Sequence, residues 1–289
     1  EIKKIRFIKK YLMKYSLFTA ILFGLIFTVS AFGQQAAREV VTLEKNWRFH
    51  NGDVANGYAK SLNDSKWEKV TVPHDWAIKG PFDKAIDIQN VAIVQNGEKV
   101  ATEKTGRTGA LPYIGIGWYR NEFSIPNFDS NKKVILLFEG AMSEPEVFIN
   151  GKKIGSWNYG YSYFYFDITA HILGTSENTL AVKLTNRALS SRWYPGAGLY
   201  RNVRLIVKNN ESINQWGTFI TTPTISSELA KVNIKTKVSG EHLTLVSHII
   251  DATGKTVAID STSAIYGNEF EQNIAVKKPN LWSPETPYL

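Results

Sequence analysis

From residue 34 onward the apolar residues recur at every second position, and no long segment carries the helical period. Period 2 sends alternate side chains to opposite faces of an extended chain, so one face is buried and the other is wet. Val134, Leu136 and Phe138 share one such face; Leu180, Val182 and Leu184 share another; Val203, Leu205 and Val207 a third. Val147 and Ile149 lead into Asn150-Gly151, followed by Lys152 to Gly155. An Asn-Gly pair between two such runs predicts a two-residue hairpin turn, because both central residues need positive φ. Short strands punctuated by Gly, Asn, Asp and Pro predict an all-β, antiparallel sandwich.

The character changes at the polar run Lys208-Asn209-Asn210-Glu211-Ser212. Beyond it the alternation restarts with Phe219, then Val232, Ile234, Thr236 and Val238, then Leu243, Leu245, Ser247 and Ile249, with a turn at Asp251 to Gly254. Strands of that length and spacing fit an immunoglobulin-like sandwich. The expected division is 34–209 for the first domain and 210–289 for the second. Residues 80–117 show no convincing strand alternation and are rich in Gly, so they read as a long loop, of a length that is usually either functional or disordered.

Residues 1–33 read differently. Six basic residues (Lys3, Lys4, Arg6, Lys9, Lys10, Lys14) precede an apolar run from Leu17 to Val29, and Ala31-Phe32-Gly33 gives a small-x-small cleavage pattern before Gln34. That is the layout of a secretory signal peptide, an N-terminal helix removed on export to the periplasm or medium, and the apolar run is short for a membrane span. Met13 makes a natural start. Most of the net charge of +8 lies in this leader. The remainder holds no basic stripe, so no nucleic-acid partner is expected. There is no Cys, which excludes a lipid anchor at a lipobox, thiol catalysis and Cys-based metal sites.

The aromatic content is 12%, and the eight Trp all lie after the leader. Such rings either fill a sandwich core or stack on sugars. Other chemistry is thinly represented. His50, His74, His171, His242 and His248 show no metal-ligand spacing, and neither a Gly-x-Ser-x-Gly elbow nor a phosphate loop occurs. No cofactor is implied.

Six segments carry a resemblance: Trp47-Arg48-Phe49-His50-Asn51-Gly52-Asp53, Val72-Pro73-His74-Asp75-Trp76, Gly117-Trp118-Tyr119-Arg120, Val147-Phe148-Ile149-Asn150-Gly151, Phe166-Asp167-Ile168-Thr169, and the run from Ser191 to Arg201. In this order and spacing they resemble the family 2 glycoside hydrolases, the exported β-galactosidases in particular. The resemblance implies a jelly-roll domain, often called sugar-binding, then an immunoglobulin-like sandwich, then a catalytic barrel. The segment from Leu281 to Leu289 resembles part of the second domain ahead of its last strands. The expectation is therefore an incomplete second sandwich, with the barrel of the same polypeptide absent, and a less stable fold in 215–289 than in 40–208. The implied function is retaining hydrolysis of terminal β-linked galactosides, with a β-linked glycan as substrate and two barrel Glu as the catalytic pair, about 5–5.5 Å apart. No catalytic or metal residue is assigned in this chain. Glu144-Pro145-Glu146 contains a Glu-Pro pair like that near the family's acid/base, but it falls in a hairpin without a partner carboxylate.

Candidate rim residues for a pocket shared with the barrel come from three stretches. Arg107 and Thr108 lie in a Gly-rich loop, where Arg107 either donates to sugar hydroxyls or faces solvent. Arg192, Trp193 and Tyr194 precede a Pro-Gly turn, and either meet sugar or pack on the barrel. Tyr159 and Tyr161 belong to the run Trp157 to Phe166; if that run is extended, its four Tyr and Trp157 share a face. Tyr159 stands where one branch of the family has an Asp that contacts galactose. Asp75 reads as a turn-fixing residue. A stand-alone carbohydrate-binding module and the front of a β-glucuronidase or β-mannosidase are the alternatives. A homo-oligomer is compatible with the sequence.

Overall fold

The computed structural model describes residues 38–79, 89–91, 102–104, 115–187, 196–264 and 267–288. These hold seventeen strands, short 3-10 turns at Trp76–Lys79 and Thr169–His171, and no α-helix. The expected leader helix lies outside them. The strands are β1 (Arg38–Thr42), β2 (Trp47–Asn51), β3 (Glu68–Val70), β4 (Gln89–Val91), β5 (Thr102–Lys104) and β6 (Gly115–Phe123). Next come β7 (Lys132–Phe138), β8 (Glu146–Ile149), β9 (Lys152–Ser156), β10 (Phe164–Asp167), β11 (Asn178–Asn186) and β12 (Val203–Asn209). The last are β13 (Ser212–Ile225), β14 (Leu229–Ser239), β15 (Leu243–Ile250), β16 (Thr256–Ala264) and β17 (Glu269–Lys277).

A four-stranded sheet, ordered β1-β12-β7-β10, shares one core with a six-stranded sheet ordered β3-β2-β6-β11-β8-β9, and every pairing is antiparallel. The inward residues are those the alternation marks. Val134, Leu136, Phe138 and Val203 from one sheet meet Leu180, Val182, Leu184, Val147 and Ile149 from the other, all fully buried. Phe138 stacks on Phe164 at 4.8 Å between centroids, and Phe49 on Trp76 at 5.4 Å. β7 is apolar on both faces, with Ile135 and Leu137 joining Ile206 in a second buried cluster on the sheet's far side. An unbroken apolar run is what a strand covered on both faces requires. The β8–β9 turn is the one the sequence predicts, with Asn150 at φ 50° and Gly151 at φ 83°. The Asn150 amide ties that turn to β11 by accepting from the Thr179 N–H at 3.0 Å and donating to Asn178 Oδ1 at 2.8 Å.

The outer face of the six-stranded sheet is covered by residues 52–67. Trp118, Phe148 and Ala181 form a small cluster there with Val54 and Trp67. Arg120, between them on β6, is 2% exposed. Its Nε donates to Asp64 Oδ2 at 2.7 Å and its Nη1 to the carbonyls of Gly57 and Ala59 at 2.9 and 3.1 Å. One guanidinium thus supplies the donors that two loop carbonyls and a carboxylate need. Trp118 Nε1 adds a bond to Asp53 at 2.9 Å, and Gly57 passes so close to the indole that a Cβ would lie 2.7 Å from it.

Residues 212–277 form a three-stranded sheet, β13-β14-β17, and a two-stranded sheet, β15-β16. β14 buries Ala230, Ile234, Thr236 and Val238 against Phe270 and Ile274 of β17 on the same sheet face. Several expectations need correction. Phe219 does not open an inward face: it is 66% exposed, because β13 is irregular between Ile213 and Thr218 and again between Thr221 and Thr224, which breaks the alternation. The polar run is not all linker. Lys208 and Asn209 finish β12, and Lys208 is buried with its Nζ donating to the Ile213 carbonyl at 2.7 Å. Burial, with Lys133 and Arg38 beside it, lowers the Lys208 pKa. Residues 80–117 also contain strand: β4 pairs β5, and β6 starts at Gly115. A three-residue pair is too short to show a period. Gly117 hides the start of β6, since a Cβ there would lie 2.5 Å from the Trp76 ring.

Removing Arg120 leaves Asp64 and two carbonyls without their donor. Arg120→Ala is expected to lower unfolding stability by about 3–5 kcal/mol in urea titration, whereas Lys153→Ala, which breaks an exposed pair with Glu146, costs less than about 1 kcal/mol. The largest fully buried side chains all lie between Trp47 and Ile206. Amides of β14 are therefore expected to exchange with deuterium faster than those of β11; equal protection would contradict this.

Candidate functional site

Three segments distant in sequence meet at one place. The His74 N–H donates to the Leu199 carbonyl at 2.8 Å, and the Trp76 N–H to that of Ala197 at 3.0 Å. Met142 and Gly198 exchange both backbone hydrogen bonds, at 2.9 and 2.7 Å. Asp75 is structural here: buried, its Oδ1 accepts the N–H groups of Ala77 and Ala197 at 2.8 and 3.0 Å. Gly198 sits at φ 129°, and a Cβ on it would lie 2.4 Å from the His74 carbonyl oxygen and 2.6 Å from the Tyr119 hydroxyl. Only glycine meets both conditions. Segments 72–76, 141–143 and 196–200 are thereby locked into one frame.

Tyr159 and Tyr161 are attached to that frame through the glycine between them. The Tyr200 hydroxyl donates to the Gly160 carbonyl at 3.0 Å, and a Cβ on Gly160 would lie 2.8 Å from Met142 Sδ. Burial raises the Tyr200 pKa, which keeps it a donor. The two tyrosine rings meet edge to face at 5.4 Å, with Tyr159 59% exposed. The run Trp157 to Phe166 is not one extended strand. Only Phe164–Asp167 pairs, and the chain turns at Gly160 and Tyr161 to reach Met142. The four tyrosines consequently part company: Tyr163 and Tyr165 pack edge-on to Trp216 at 6.4 and 5.0 Å.

Of the residues expected at the rim, the structure brings Tyr159 and Tyr161 together. Arg107, Thr108, Arg192, Trp193 and Tyr194 lie outside the described residues. Glu144 and Glu146 are each held by a cation. Glu144 makes a two-pronged pair with Arg187 at 2.6 and 2.8 Å, and Glu146 pairs with Lys153. Among the described residues no group of three or more His, Asp and Glu could hold a metal ion. Sequence reading missed Tyr200, Met142 and the His74–Tyr119 pair. Gly160 was the signal, since a glycine between two tyrosines marks a close approach.

His74 shares a 2.7 Å hydrogen bond between its Nδ1 and the Tyr119 hydroxyl, and its ring packs on Phe49. Its Nε2 is buried without a partner among the described residues. Burial lowers its pKa first, and Lys79 adds to this; Glu68 and Asp75 oppose. A histidine with a depressed folded pKa protonates more readily when unfolded. Its neutral form therefore keeps full stability above the ordinary value of 6.5 and loses it as pH falls toward the depressed value. The wild-type urea midpoint is expected to drop more than that of His74→Gln between about pH 7.5 and pH 5.5; equal drops would contradict the burial argument.

Comparisons with known proteins identify the family. The sugar-binding domain of the glycosyl hydrolases family 2 matches residues 40–209, and a second domain of the same family matches 212–289. A β-galactosidase from Bacteroides ovatus is 36% identical over 264 residues, covering 87% of this chain and 29% of its own length. A solved family 2 glycosyl hydrolase from Bacteroides cellulosilyticus superposes with a TM-score of 0.72 at 29% identity, over 86% of this chain and 32% of that one. A β-glucuronidase from Bacteroides uniformis gives 0.71 at 27% identity, over 87% and 29%. The chain thus spans about a third or less of the length of these relatives. By the extent of the first match, this chain belongs to the glycosyl hydrolases of family 2.

Proposed function

We propose that this chain forms the front of an exported β-galactosidase-like glycosidase and lines its sugar pocket without cleaving the bond. The frame around Gly198 carries the proposal. It holds the Tyr159–Tyr161 pair, in which Tyr159 is exposed, and Arg192, Trp193 and Tyr194 precede its segment 196–200 in sequence. Those residues, with Arg107 and Thr108, are the proposed rim. Aromatic faces stack on sugar C–H groups, and Arg donates to hydroxyls. Residues 34–209 and 210–289 act as two modules in this reading, and a barrel of the same polypeptide supplies the chemistry.

Retaining hydrolysis needs two carboxyl groups about 5–5.5 Å apart, one protonated as the acid and one free as the nucleophile. Glu144 and Glu146 suit neither role, because each is tied to a cation. The galactoside preference is supported by the Bacteroides ovatus relative; the Bacteroides uniformis neighbour supports a glucuronide instead. The choice between them falls to groups beyond the described frame.

The purified chain is expected to release no nitrophenol from nitrophenyl β-galactoside or β-glucuronide, and measurable turnover would refute the division of labour. Expressed with its leader in a bacterium, it is expected in the periplasm or medium with Gln34 as its first residue.

A further inference from the structure

Residues 214–217 leave the ladder of the second module. Ile213 pairs with Val238 and Thr218 with Thr236, so Asn214, Gln215, Trp216 and Gly217 stand opposite Lys237 alone. A bulge of this kind re-aims the side chains it carries. Trp216 sits at φ 52°, an outlier for a bulky residue, which persists only where its surroundings hold it. A Cβ on Gly217 would lie 2.6 Å from the Lys237 carbonyl oxygen, so glycine is what lets the chain rejoin the ladder.

The re-aimed groups reach the first sandwich. The Trp216 ring meets Tyr165 edge-on at 5.0 Å and Tyr163 at 6.4 Å. Gln215 Oε1 accepts from Arg38 Nη2 at 3.5 Å, and the Ile213 carbonyl from Lys208 Nζ at 2.7 Å. Ser239 Oγ accepts from Lys133 Nζ at 3.2 Å and donates to Asn214 Oδ1 at 2.7 Å. Arg38, Lys208 and Lys133 are in-register partners on β1, β12 and β7, so the bulge lies over a row of like charges. Like charges directly opposite one another on adjacent strands are destabilising. Each of these cations meets a neutral acceptor, which leaves its charge uncancelled. Of the charged groups acting on Lys208, Lys133 and Arg38 are positive and only Asp167 is negative, and Asp167 Oδ1 already accepts from the Thr169 N–H and hydroxyl.

We propose that residues 213–217 are a clasp that fixes the second module on the first, and that the cation row beneath it makes its grip depend on ionic strength. At low salt the row repels itself across the contact. Salt shortens the reach of that repulsion, to about 10 Å at 0.1 M and about 3 Å at 1 M, so the clasp tightens as salt rises. A contact closed by ion pairs responds with the opposite sign, because screening weakens attraction.

The chain has no Cys, so Ser156→Cys and Ser261→Cys, both at exposed positions, place one spin label on each module of the whole chain. Label-to-label distances and hydrogen exchange of 212–219 are then measured at about 20 and about 500 mM NaCl. At the higher salt the distance distribution is expected to narrow and exchange to slow by about threefold or more. Arg38→Glu alters an exposed residue and sets a carboxylate opposite Lys208. It is expected to be tight already at low salt and to loosen as salt is added. Trp216→Ala removes a side chain from a residue that is 58% exposed, and is expected to widen the distribution at both salts while circular dichroism shows the sheets intact. Distances in Trp216→Ala as narrow as in the wild type would overturn the clasp. A wild-type contact that loosens or stays unchanged with salt, or an Arg38→Glu response equal to that of the wild type, would overturn the charge dependence.

Discussion

The absence of a side chain at Gly198 is the constraint on which the candidate site rests. At that point the backbone of 196–200 lies against the His74 carbonyl and the Tyr119 hydroxyl, with no room for a Cβ. The approach lets Met142 and Gly198 exchange hydrogen bonds, and brings Asp75 within reach of the Ala197 N–H. Tyr200 follows two residues later and holds Gly160, which sets Tyr159 and Tyr161 beside the frame. A local steric requirement is thus passed along the chain as position, and the positioned groups include the tyrosines of the proposed rim.

The sandwich beneath supplies rigidity for this. β6 and β11 pair over nine residues each, from Gly115 with Asn186 to Phe123 with Asn178. Their inner faces fill the core, and their outer faces are covered through Arg120 and Trp118. Burying a guanidinium is unfavourable unless every donor finds an acceptor, and the loop 52–67 supplies the acceptors. The same sheet face carries Arg48, whose neighbours leave one donor unmet. Arg48 and Arg120 are paired in register, and Asp64 bonds to Arg120.

Much of the fold was legible because a half-buried strand writes itself into sequence. Val134, Leu136 and Phe138, or Leu180, Val182 and Leu184, need only period 2 to be recognised. Asn150-Gly151 was legible because few residues tolerate two successive positive φ values. The failures have physical causes as well. Tyr159 to Tyr165 alternates as a strand would, but tertiary contact at Gly160 turns the chain away. Lys208 reads as linker because its partner is a backbone carbonyl across the turn into the next strand, which side-chain alternation does not reveal. Arg48 and Arg120 look alike in sequence, and only strand register shows that they stand together. The site was legible as motifs but not as geometry, since the contacts between 72–76, 141–143 and 196–200 span long stretches of chain.

The central claim is that close backbone contact at Gly198 builds the frame that carries the proposed rim. Chemical denaturation of Gly198→Ala beside Gly174→Ala tests it most directly. Gly174 also has positive φ, 58°, but a Cβ there would meet nothing within 4 Å. Alanine at 174 is expected to cost about 1 kcal/mol, from the left-handed backbone alone. Alanine at 198 is expected to cost clearly more, about 3 kcal/mol or above, and to loosen Tyr159 and Tyr161. Equal small losses at the two positions would contradict the account.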